Sequence, residues 1–139
     1  MTPKFASRDG LPSLILNDTH YERLVALAEQ ARQQAPDVAS YLLAELHRAR
    51  LCQQAEMPDD VVDLHRQVDY QDLGTGERHS LQLVWPADAQ SSARRVSVIS
   101  PIGAALIGLS VGQVIHWQLR DGGARQLKVL AVRSAAAVA

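Results

Sequence analysis

The sequence predicts an α+β fold in which an N-terminal antiparallel helical hairpin precedes a small, largely antiparallel β domain with one short helix. Two changes of pattern carry that expectation. Apolar residues recur at three and four positions between Asn17 and about Gln54, whereas strand-like runs take over from Val68 onward. Between two of those runs lies "SPIGAALIGL" (100–109), whose Ser-Pro start and apolar spacing suit a single short helix. With 139 residues, 47% of them apolar, the chain has enough for one core and too much for a disordered chain.

Each element follows in order. "SLILN" (13–17) is short, branched and apolar, as a strand would be. Leu24, Leu27, Ala28 and Ala31 mark the buried face of the first helix, and Val38, Leu42, Leu46 and Ala49 that of the second. Thr19 with Glu22 reads as a capping box, with Asn17 or Asp18 as alternative caps. Pro36 ends the first helical run and fits the first turn of the next, so short a link requiring antiparallel helices. "AEMPDDVVDL" (55–64) forms the junction, dividing the chain into 1–55 and 56–139. Beyond it, "VDYQDL", "HSLQLVW", "RVSVIS", "QVIHWQLR" and "RQLKVLAV" read as strands. "LGTGE" (73–77) and "RDGGA" (120–124) suit hairpin turns, and the tail "SAAAVA" is expected to fray.

Several function classes find no support in these residues. The net charge of −1 leaves no basic surplus for tracking phosphates, so direct sequence-specific nucleic-acid binding is not expected. The single cysteine, Cys52, forms no internal disulfide and fits a reducing compartment, as a small apolar packer near the helical seam. No run reads as a signal peptide or a membrane span, which points to the cytoplasm and away from the membrane. The histidines form no HxxxH or HExxH pair, and Asp59, Asp60 and Asp63 lack the ligand spacing of a calcium loop. Ser80 beside His79 lacks the strand–elbow–helix context of a hydrolase, and "GTGE" is no nucleotide-binding loop. The sequence therefore predicts a binding protein, with no catalytic residue, metal ligand set or cofactor.

The segment around 100–109 is the candidate binding element. Ser100 suits the N-cap and Pro101 the first helical position. Ile102, Ala105, Leu106 and Leu109 share one face, and Gly108 or Gly112 can close the helix in a left-handed conformation. Gly103, Ala104 and Ile107 on the other face are also uncharged. A helix apolar nearly all round is either wholly buried or offers part of itself to a partner. The partner reading assigns contact to Ser100, Pro101, Ile102, Gly103, Ala104 and Ile107. A phosphate cradle fits poorly, because Pro101 removes an amide and Arg94 and Arg95 lie a strand away.

"VSVISPIGAALIGLSVGQVI" (96–115) resembles the signature of the C-terminal domain of the bacterial Gre transcript-cleavage factors. "VDYQDLGTGERHSLQLVWP" (68–86) resembles the hairpin that precedes it, and the order of parts matches over most of the chain. The short helical hairpin, "EMPDDVV" (56–62) and "PIGAALIGL" are most similar to one branch, the regulators of nucleoside diphosphate kinase. The resemblance implies an FKBP-like β domain that grips bacterial RNA polymerase at its secondary channel through the Ser-Pro helix. It also implies a short coiled coil directed towards that channel, and a link to nucleoside diphosphate kinase that is either direct or transcriptional. In the cleavage factors, acids at the coiled-coil tip help hold a catalytic magnesium ion. Here "ARQQAPDVAS" (31–40) offers Asp37 and no second acid within one helical turn, and helices of about 17 residues span only roughly 25 Å. The expectation is a non-catalytic regulator that occupies the channel mouth and competes with cleavage factors. The FKBP-like fold also raises peptidyl-prolyl isomerisation, but the β half supplies only Tyr70, Trp85 and Trp117 for an aromatic pocket.

Overall fold

The structure is a computed structural model that describes residues 13–91, 94–118 and 124–134. Strand β1 (Ile15–Asn17) leads directly into helix α1 (Asp18–Gln30), and Pro36 opens helix α2 (Pro36–Arg48). Of the three proposed caps for α1, Asn17 is the one used: its side-chain oxygen accepts from the Thr19 N–H at 2.9 Å. The N–H of Ala35 bonds to the Ala31 carbonyl at 2.8 Å, tightening the turn between the helices.

The second helix is shorter than its periodicity suggests. It stops at Arg48 because the next residues form strand β2 (Arg50–Cys52), which pairs in parallel with β1. The Arg50 N–H donates to the Leu14 carbonyl at 2.9 Å. Each helix therefore has 13 residues and spans roughly 20 Å, below the expected length. Cys52 sits on β2, half-buried opposite Asn17, rather than in the helical seam.

The remaining strands form a five-stranded sheet in the order β5-β4-β3-β7-β6. Its members are β3 (Gln67–Asp72), β4 (Arg78–Val84), β5 (Arg95–Ser97), β6 (Val114–Gln118) and β7 (Ala124–Arg133). Pairing is antiparallel except between β4 and β5, which run parallel. "LGTGE" makes the β3–β4 turn as expected. The Asp72 carboxylate accepts from the Gly74 N–H at 2.8 Å, and Gly76 takes a positive φ of 78°. The other proposed turn, "RDGGA", and the tail beyond Ser134 lie outside the described residues, Ala124 excepted.

Helix α3 (Pro101–Leu106) follows β5. One hydrophobic core joins all these parts: Leu24 and Leu42 of the hairpin, Val62 of the junction, Leu83 and Leu127 of the sheet, and Leu106 of α3. The result is a mixed α+β fold in which the helical hairpin and the sheet share their apolar interior.

Candidate functional site

The Ser-Pro segment is built as its residue types require. Ser100 caps α3, its hydroxyl oxygen accepting from the Gly103 N–H at 3.1 Å while donating to the Ser97 carbonyl at 2.7 Å. Pro101 occupies the first helical position, where its missing N–H leaves nothing unpaired. Gly103 lies against the β5–α3 connection, where a Cβ would come within 2.9 Å of the Val98 Cα. Gly108 follows α3 with a φ of 85° and is enclosed by Leu14, Ile15 and Leu16 of the N-terminal strand. Its carbonyl accepts from the Ile15 N–H at 3.1 Å, and its N–H donates to the Val62 carbonyl at 3.0 Å. Gly112 is also left-handed, with φ of 91°, in the turn before β6.

Burial divides the proposed contact residues into two groups. Ile107 is 1% exposed, Ala104 is 2% exposed, and Gly103 is also buried. The expectation that this face points to a partner is corrected for those three, because the molecule's own core covers them. Wedged between the β5–α3 connection, β1 and the junction, the segment buries both faces, which explains why it is apolar all round. Pro101 remains exposed, and Ser100 and Ile102 are half-buried. The accessible part of the segment is thus its N-terminal edge.

The junction contributes a cluster that spacing along the chain does not reveal. Asp63, 5% exposed, accepts from Asn17 Nδ2 at 3.2 Å and from the Leu64 N–H at 2.8 Å, and meets His20 Nδ1 at 3.1 Å. Burial pushes the Asp63 carboxyl up, yet the hydrogen bonds from His20, Asn17 and the Leu64 amide outweigh it and hold the group below its ordinary value. The His20 ring meets Trp85 edge-on at 5.5 Å, and the Arg23 guanidinium lies 4.1 Å above the same indole. These contacts tie the start of the first helix to the junction and the sheet. Asp63 was visible in the sequence as one acid of a failed calcium pattern. Its partners, some 43 and 46 positions away, were not.

Asp37 stands in the first turn of α2, half-buried, where a negative charge suits the helix N-terminus. Among the described residues, no three His, Cys, Asp or Glu side chains are placed to hold a metal ion. The aromatic residues of the β half are engaged separately: Tyr70 stacks on His79 at 5.2 Å, and Trp85 is covered by Arg23 and His20. The Trp117 side chain lies outside the described residues. Among the described residues, no helix is long and apolar enough to cross a membrane.

Sheet order, the glycine-bearing Ser-Pro helix and the preceding hairpin together define a class. The chain belongs to the GreA/GreB family of transcription elongation factors, matching its C-terminal domain over residues 57–134 and the Rnk N-terminus over residues 12–51. It is 44% identical over 119 residues to the regulator of nucleoside diphosphate kinase of Escherichia coli K12, covering 86% of this chain and 88% of that protein. Transcription elongation factor GreA of Thermotoga neapolitana is 32% identical over 87 residues, which cover 63% of this chain and 54% of that protein. Among solved structures, a GreA/GreB elongation factor from Nitrosomonas europaea superposes with a TM-score of 0.65 at 30% identity. That match covers 88% of this chain and 99% of the other.

Proposed function

We propose that the chain is a non-catalytic transcription regulator that binds bacterial RNA polymerase at the secondary channel and competes there with cleavage factors. The observation that carries this reading is the GreA/GreB-type Ser-Pro helix joined to a hairpin whose helices have only 13 residues each. A hairpin spanning roughly 20 Å suits occupancy of a channel mouth better than delivery of a metal ion deep within it. In this reading 56–139 is an FKBP-like gripping unit, and 1–55 is a short coiled coil directed at the channel. Contact falls to Ser100, Pro101 and Ile102, the accessible edge of the segment. Asp37 at the start of α2 is a helix-end acid rather than a magnesium ligand. The setting is cytoplasmic, and the relative's name adds a link to nucleoside diphosphate kinase.

The test is binding of the purified chain to core polymerase together with an RNA-cleavage assay. Co-elution at micromolar concentration, no stimulation of cleavage, and loss of co-elution in a folded Pro101→Glu variant are expected. Glutamate is well tolerated electrostatically at a first helical position, so the variant alters the surface rather than the core. Cleavage stimulation by the wild type would overturn the reading.

A further inference from the structure

The two edges of the five-stranded sheet are built differently. One edge is β5, three residues long with Arg95 at its start, the short and charged kind of edge that resists further pairing. The other is β6, Val-Ile-His-Trp-Gln, which contains no Lys, Arg, Asp, Glu or Pro. On its inner side β6 bonds to β7. Just before β6, the Val129 N–H donates to the Gln113 carbonyl at 3.1 Å, and the Val129 carbonyl accepts from the Gly112 N–H at 2.8 Å. The Gln126 carbonyl points the other way, accepting from the Leu73 N–H at 2.8 Å. Alternation along the antiparallel ladder therefore turns the backbone of Ile115 and Trp117 towards β7, and that of Val114, His116 and Gln118 outward. Among the described residues, nothing bonds to the outward N–H and C=O groups of Val114 and His116. The His116 side chain is exposed, its Nδ1 meeting Gln126 Nε2 at 3.2 Å.

We propose that a second copy of this chain pairs with β6, edge to edge and antiparallel, about a two-fold axis through His116. The axis sets His116 opposite His116 of the other copy, and Val114 opposite Gln118. Each pair exchanges both of its N–H···O=C bonds, so the outward groups of all three residues are satisfied and the two sheets become one. No Lys, Arg, Asp or Glu of β6 meets its like across the axis. That neutrality also favours a copy as the occupant. Main-chain pairing needs a second bare strand edge, which this chain supplies, and an uncharged edge offers a charged partner nothing to recognise. One strand pair covers much less than the roughly 800 Å² per side of a standard interface, so the dimer is weak and depends on concentration.

Sedimentation equilibrium combined with amide hydrogen exchange tests this directly. The wild type should dimerise below about 1 mM. The Val114 and His116 amides should gain protection as concentration rises, while that of Ile115, already bonded to β7, should not change. Val114→Pro removes an outward N–H that β7 does not use, so the fold should stand. The dimer should weaken about tenfold, because two hydrogen bonds are lost across the axis. His116→Lys and His116→Glu, at an exposed side chain, should each weaken it several-fold, since like charges then face each other. An equimolar mixture of these two should recover the association, which only pairing across His116 allows. The His116 variants decide the matter if circular dichroism shows Val114→Pro unfolded. A wild type that stays monomeric up to about 1 mM overturns the proposal. So does a dimer indifferent to the substitutions, a mixture of folded His116 variants that fails to recover, or a dimer that leaves the Val114 and His116 amides unprotected. Protection of those amides by polymerase alone, with a monomeric wild type, would assign the edge to the polymerase instead.

Discussion

At Ile107, 1% exposed, the residue chemistry allows two opposite roles, and the backbone around it decides between them. Gly103 and Gly108 let α3 lie close to the β5–α3 connection and to β1, and that closeness turns Ile107 inward. Ile107→Asp should therefore unfold the protein, because the charge would be buried without a partner; denaturant melts would show a collapsed midpoint. A cooperative, near-wild-type melt would place the side chain back on the surface. Asp63 offers a second test at this scale. Its folded pKa lies below the ordinary 3.8, so its stabilisation is complete above that value and is lost as pH falls towards the folded pKa. Asp63→Asn should lower stability at neutral pH and flatten the acid limb of stability against pH below about 4. An unchanged acid limb would remove Asp63 from the account. Neither result was legible from local sequence: both depend on contacts between residues far apart along the chain.

Among the elements, the helices and strands were largely legible, because apolar spacing is a local property. Pro36 at the start of α2 and Ser100 at the cap of α3 stand where the sequence placed them, and "LGTGE" turns between β3 and β4. The exception is β2, which periodicity assigned to the second helix. Its three residues are strand only because β1 lies alongside, a partner that no windowed pattern contains. Helix α3 carries the prediction at this scale. Leu106 is fully buried, so Leu106→Ala should cost about 2–5 kcal/mol, read from urea or guanidinium unfolding. A cost near zero would mean that α3 is not anchored through this side chain.

Across the whole molecule, the hairpin is not an independent projection. Leu24, Leu42 and Leu46 share one core with the sheet, and the Asn17–His20–Asp63 cluster, with Trp85, fixes where the helices begin relative to it. The tip is therefore held at a set position with respect to the Ser-Pro edge. The family was legible in the order of motifs, but the accessible part of the Ser-Pro segment was not, since burial belongs to the assembled fold. The proposed function is to grip the polymerase without chemistry. The most direct measurement is equilibrium competition between this chain and a transcript-cleavage factor for core RNA polymerase. Mutually exclusive binding, with cleavage falling as the chain displaces the factor, is the predicted result. Simultaneous binding of both, with cleavage undiminished, would contradict it.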